Sequence, residues 1–356
     1  MTGIIYLYMI IVTELIKKIR LRWVILAVLL VFIRIVMSFP AIGEWYARTV
    51  YPVISAVLSR FSSLFPFSVG DCFIYGSIVG LIVYLVYAIA KRRPWLRTLG
   101  RMAEYLLWVY AWFYLAWGMN YFRADFYTRA QVPYVDYSEE AFRSFLTAYT
   151  DSLNSTYISF EKIDPELVAE ETRLGYEEIA GRFGMNKPSG HLRAKPMLIS
   201  PMMSSVGVLG YMGPFLNEFN LNRDLLAVQY PFTYAHEMAH VLGISNEAEA
   251  NLYGFLVCSH SAVPEIRFSG YFGLLSYVLG NAYQLLPEEE FKQWTETISP
   301  EVKEMYNQKV AYWQALYSPL IGEIQDTAYN WFLKGNNIPS GRKNYSEVVA
   351  LLLAIR

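Results

Sequence analysis

The sequence predicts an α+β, mainly helical protein: three transmembrane helices at the N-terminus, followed by a separate domain with a small sheet. Three observations carry this expectation. The composition is 54% hydrophobic and only 17% charged, against roughly 25% charged in average soluble domains. Three apolar runs long enough to cross a bilayer precede residue 123. Beyond them the texture changes to amphipathic helical spacing, short apolar runs punctuated by glycine and proline, and a His-Glu-x-x-His segment at 236–240.

The membrane part spans residues 1–122. Residues 1–16 are apolar but interrupted by Glu14, too short for a span of their own. Lys17, Lys18, Arg20 and Arg22 then precede the first span, 23–39. The second span is 72–90, followed at once by Lys91, Arg92, Arg93, Arg97 and Arg101, and the third is 102–122. Basic residues in short loops stay cytoplasmic, so both clusters share that side and the remaining chain, 123–356, is expected outside the cytoplasm. No small-residue cleavage site follows the first span, which reads as an anchor rather than a removed signal. The connection from Pro40 to Asp71 is expected to hold a helix along the membrane surface or capping the domain.

A formal net charge of −1 lacks the broad basic surplus that nucleic-acid binding needs, so no nucleic-acid partner is expected. Two cysteines, Cys72 and Cys258, define no disulfide framework and read as buried packing.

In the second domain Asp125 to Tyr137 reads as a linker. Ser138 caps a helix beginning at Glu139, and Asp164-Pro165 opens another running toward Phe183. His191, in a loop from Gly184 to Pro196, reads as a surface histidine because no metal-spaced partner accompanies it. Met197 to Ser200, Val206 to Phe215 and Asp224 to Gln229 read as strands, with Val206 to Tyr211 as the candidate edge strand along a substrate cleft. Helices are expected over 252–260, 268–286, 287–317 and 321–333, the second a core helix beneath the site rather than a fourth span.

The motif itself is Tyr230-Pro-Phe-Thr-Tyr-Ala-His-Glu-Met-Ala-His-Val-Leu-Gly243. On a helix His236 and His240 lie one above the other, so both imidazoles reach one Zn²⁺ ion. Glu237, rotated around the helix, falls beside the open metal position, where a general base for a bound water must sit. Pro231 suits the first helical turn and Gly243 the left-handed position past its end. The third ligand must follow in Asn246-Glu-Ala-Glu-Ala-Asn251. With Asn246 as cap, Glu249 takes a capping-box role and Glu247 becomes the better ligand, with Glu249 as the alternative. Asn251, four residues after Glu247, is placed to orient a metal-bound histidine.

His236-Glu237-x-x-His240 followed by Glu247-x-x-Ala-Asn251 resembles the gluzincin metallopeptidases, whose second signature is Glu-x-x-Ala-Asp or Glu-x-x-Ala-Asn. It looks closest to an uncharacterised bacterial family of membrane-anchored, zincin-like proteins catalogued as a domain of unknown function. Two departures stand out: the spacing from His240 to Glu247 is short, and Asn251 stands where many relatives carry Asp. The resemblance implies a zincin-like metallopeptidase domain, a peptide or protein substrate, and a membrane-anchored enzyme that hydrolyses peptide bonds by Glu237-assisted attack of zinc-bound water. An oxyanion donor is also needed, with Tyr253, His260, Tyr271 and Tyr345 as unranked candidates. The competing reading is a non-catalytic membrane receptor or assembly factor that keeps the fold to bind peptides.

Overall fold

The computed structural model describes residues 21–134, 138–340 and 347–355. Residues 1–16, the basic residues Lys17, Lys18 and Arg20, and Tyr345 lie outside the described residues. Helix α1 (Leu21–Ser38) is followed by a short helix (Pro40–Trp45), a π-helical turn (Tyr46–Val50) and α2 (Tyr51–Ser62). Helix α3 (Val69–Ala90) starts on a Ser68 cap whose hydroxyl accepts from the Asp71 N–H, and α4 (Trp95–Ala116) returns alongside.

Two of these helices, α1 and α3, not three, are long and apolar enough to cross a membrane. The expected third span, 102–122, is corrected. Its helix starts earlier, at Trp95, and so adds Arg97 and Arg101 to Glu104, which the expected span already held, and it ends at Ala116. The chain then passes into a buried 3₁₀ turn, Gly118–Phe122, rather than continuing through lipid. Arg22 at the start of α1 pairs with Glu104 at 2.7 Å.

Beyond a short helix at Phe126–Ala130, which replaces part of the expected linker, come α5 (Glu139–Ser155) and α6 (Pro165–Ile179). Both begin where expected, on the side-chain caps Ser138 and Asp164. The sheet has three short strands in the order β1-β3-β2: β1 (Lys195–Pro196), β2 (Gly210–Gly213) and β3 (Glu218–Leu221). β1 runs parallel to β3 and β2 antiparallel, with Gly210 opposite Leu221 and Gly213 opposite Glu218. Asn217 turns the hairpin at φ 48°, a left-handed conformation that asparagine tolerates.

The sheet thus differs from expectation. Met197 to Ser200 leaves β1 and enters a short helix, Ser200–Ser204, and Asp224 to Gln229 forms turns, while β3 was not anticipated. Five helices follow: α7 (Tyr230–Val241), α8 (Glu247–Ser259), α9 (Pro264–Leu285) and, with the expected long helix broken between Glu296 and Pro300, a short helix (Glu288–Glu296) and α10 (Pro300–Leu316). Helices α11 (Pro319–Gly335) and α12 (Val348–Ala354) follow, the latter packing into the core through Val348, Val349 and Leu352. Helix α9 is buried through Phe268, Phe272, Leu274, Leu275 and Val278, so it is the core helix expected beneath the site.

The domain is joined to one end of the N-terminal helices. Glu218 of β3 accepts from Ser68 Oγ (3.0 Å) and pairs with Lys195 (2.6 Å), which also donates to the Ser62 carbonyl. Asp71, at the start of α3, accepts from the Leu198 N–H (2.9 Å) and the Tyr211 hydroxyl. The Tyr51 hydroxyl lies 2.7 Å from the Val241 carbonyl, and the Trp117 indole donates to the His240 carbonyl at 2.8 Å. All these contacts come from the end of the bundle where α1 finishes, α3 begins and α4 finishes.

Candidate metal centre

Helix α7 is buried along its whole length, as its apolar surface requires. Pro231 lies in its first turn. Gly243, at φ 90°, reverses the chain where a Cβ would meet Asn120 and the Tyr51 ring, so that α8 folds back across α7. Asn246 caps α8 by accepting from the Glu249 N–H at 3.0 Å, which sets Glu247 in the first turn facing the two histidines.

The ligand atoms converge. His236 Nε2 and His240 Nε2 are 3.2 Å apart, and Glu247 Oε2 lies 3.2 Å and 3.3 Å from them. The outer ring nitrogens reveal what these atoms offer. His240 Nδ1 is 2.7 Å from the Ile244 carbonyl, which can only accept, so Nδ1 carries the proton. His236 Nδ1 sits 2.8 Å from Asn251 Oδ1 in the same relation. In the neutral rings, therefore, two lone pairs and a carboxylate oxygen point at one another with no donor between them, an arrangement that calls for a cation.

Zinc–nitrogen and zinc–oxygen bonds of about 2.0–2.2 Å at tetrahedral angles put neighbouring ligand atoms about 3.3–3.4 Å apart. The three observed separations fit that figure, and both histidines are held by a second partner, as metal-ligating histidines usually are. Without a metal a proton serves instead. Burial disfavours charge on both groups, but Glu247 beside it raises His240 to about 9, and the histidines hold Glu247 well below the usual carboxylate range.

Glu237 is 5% exposed and its Oε2 has no hydrogen-bond partner among the described residues. Burial pushes its carboxyl above the ordinary value. Gly210, the first residue of β2, lies directly over it: a Cβ there would come within 2.6 Å of Glu237 Cγ and Oε1. His236, Glu237 and Asn251 open onto a cavity of about 830 Å³, walled by Val208 to Tyr211 on the sheet side and by Phe232, Phe272, Tyr277 and Tyr329 on the helical side.

Other expected site residues fall elsewhere. Glu249 points away from the histidines, forming a buried ion pair with Arg129 and lying 3.5 Å from the Tyr253 hydroxyl, so it neither ligates nor completes a capping box. Tyr253 is packed among Phe126 and Phe183, away from the cavity. His260 is exposed at the end of α8, with Nδ1 on the Leu256 carbonyl. The Tyr271 ring packs against Phe255 and Tyr149. None of these three can reach an oxyanion at the histidine pair. The edge strand begins at Gly210, with Val206 to Leu209 leading into it as non-strand chain. His191 lies 3.0 Å from Ser59 Oγ, outside the centre; Cys258 is wholly buried, as expected, but Cys72 is exposed near the start of α3 and not buried packing.

Two tyrosines were not anticipated. Tyr329 of α11 donates to Glu247 Oε1 at 2.7 Å. Tyr277 of α9 lines the cavity beside Asn251, and burial, together with Glu247, raises it to about 12. Only their distance in sequence, 82 residues for the Tyr329–Glu247 bond, hid them.

Residues 46–353, which contain every group of this centre, match the family described as Protein of unknown function (DUF3810). The chain belongs to that family. No curated protein and no solved structure matches this DUF3810 chain. Its centre is therefore interpreted from its own geometry.

Proposed function

We propose that this protein is a membrane-anchored, zinc-dependent peptidase. The observation that carries the proposal is the meeting of three lone-pair donors, His236, His240 and Glu247, beside a buried carboxylate, Glu237, whose Oε2 has no partner among the described residues. Bound there, zinc would lower the pKa of a water and polarise a carbonyl. His236 and His240 bind through Nε2, oriented by Asn251 and the Ile244 carbonyl, while Tyr329 holds the outer oxygen of Glu247. Glu237 takes the proton of the attacking water and passes it to the leaving amine. Its burial, which raises its proton affinity, suits it to both transfers. β2 pairs with β3 alone, which leaves an edge at the cavity wall to which an extended peptide can add as a further strand. Tyr277, which lines the cavity, stands in place of Tyr253, His260 and Tyr271 as the donor near a developing oxyanion.

A receptor that merely binds peptides would have no use for Glu237, because a buried carboxylate without a partner costs stability. The direct test is cleavage of a peptide library by the full-length protein in detergent. Cleavage is expected, lost with a chelator and restored by zinc. A metal-loaded protein that cuts nothing in the library would favour the receptor.

The domain is proposed to lie outside the cytoplasm. It is joined to the bundle at the end opposite Arg22 and the Lys91-Arg92-Arg93 cluster, and such clusters stay cytoplasmic. Although α4 is less apolar than α1 and α3, it retraces their length to reach the domain. A membrane-impermeant maleimide should label Glu140→Cys and not Arg97→Cys on intact cells; the opposite pattern would invert the topology.

A further inference from the structure

The cavity contains a cation that the chemistry above does not use. Lys309, on α10, lines the same cavity as His236 and Glu237. Its ammonium lies 3.0 Å from Ser276 Oγ, 4.3 Å from the centre of the Tyr306 ring and 5.1 Å from that of Phe272. Lys309 is half-buried, and no carboxylate among the described residues pairs with it, whereas the domain's buried cations each have one: Arg129 has Glu249, Arg123 has Glu44 and Lys195 has Glu218. Two ring faces and one hydroxyl replace only part of the lost hydration, and burial pulls the ammonium down to about 8.

The position relative to the metal centre is also defined. Ser276 is adjacent in sequence to Tyr277, which stands beside Asn251, the partner of His236. The cavity onto which His236 opens therefore combines an apolar lining, with Phe232 and Phe272, and the Lys309 ammonium. A group of opposite charge is what completes such an ammonium.

We propose that Lys309 is the specificity residue of the cavity and binds a carboxylate of the peptide substrate; this rests on the peptidase reading above. The carboxylate belongs either to the peptide's C-terminus or to an acidic side chain near the cleaved bond, and Lys309 selects for it by leaving the ammonium unsatisfied when it is absent.

The test measures binding of three probes by calorimetry to the full-length protein carrying Glu237→Gln, which prevents turnover. The probes are N-acetyl-Leu-Phe, its C-terminal amide, and N-acetyl-Leu-Asp-amide, each with metal loaded and with metal stripped. At least one carboxylate probe is expected to bind about tenfold or more tightly than the neutral amide. That preference should survive metal stripping, vanish in Lys309→Met and persist in Lys309→Arg. The acid that shows it identifies the source of the carboxylate. Equal affinity for all three, or a preference that survives Lys309→Met, overturns the proposal. A preference that disappears with the metal places the carboxylate on the metal instead, which sinks the Lys309 role and leaves the metal centre standing. Conversely, a Lys309-dependent preference in a protein that takes up no zinc would uphold the lysine site and remove the peptidase.

Discussion

Replacing Glu237 with Gln is expected to lower kcat by about 10²–10⁴-fold while leaving the metal content unchanged, the range over which a positioned general base contributes. The substitution keeps the side chain's volume, so the close approach of Gly210 is not disturbed. It removes only the capacity to accept a proton. A second readout separates this from misfolding: Glu237 Oε2 is buried without a partner, so the neutral amide should leave thermal stability equal or higher. Cleavage by the variant at near wild-type rate would show that Glu237 is not the base. Loss of cleavage accompanied by loss of zinc would instead point to damage at the ligands.

Arg129→Met is expected to produce the largest loss of stability outside the ligands. Arg129 and Glu249 are both almost fully buried, and Arg129 also donates from Nε to the Ala124 carbonyl at 2.9 Å. Although burial alone would lower the arginine's proton affinity, Glu249 beside it raises it above the ordinary value. Removing one member of a buried pair strands the other charge and costs about 3–5 kcal/mol, whereas removing both is often close to neutral. Arg129→Met should therefore lower Tm by on the order of 5–10 °C, and adding Glu249→Leu should recover most of it. If the double variant were as unstable as the single, packing rather than charge would be the function of this pair. Because Glu249 stands two residues after Glu247, the single variant should also loosen metal binding through the first turn of α8, an effect the double variant should reverse.

How much was legible in the sequence depends on the range of the interactions involved. The metal helix, its Pro231 start, its Gly243 exit and the Asn246 cap are set by neighbours within a few residues, and each stands where the pattern put it. The choice of Glu247 over Glu249 followed from the same local capping. What displaced Glu249 from the centre was invisible, since Arg129 is 120 residues away. The strands are two to four residues long, too short for period-two alternation to register. β3 carries buried Glu218 and Asn220, polar residues that an apolar-run criterion passes over. The third span failed for another reason. The apolar run leaves out the first turns of the same helix, and Arg97 and Arg101 there, with Glu104 inside the run, lower its apolarity over the length that counts. Tyrosines are too numerous, at 29, for type alone to single out Tyr277 in the cavity or Tyr329 on Glu247.

Metal analysis of the purified full-length protein decides whether His236, His240 and Glu247 hold one zinc ion. The wild type should carry about one zinc per chain, as a three-ligand site with one open position requires. His236→Ala and Glu247→Ala should lose it, and Glu249→Gln should keep it, bound more loosely as in Arg129→Met, because that carboxylate faces Arg129 and not the histidines. Zinc absent from the wild type, or retained in Glu247→Ala and lost in Glu249→Gln, would contradict the account.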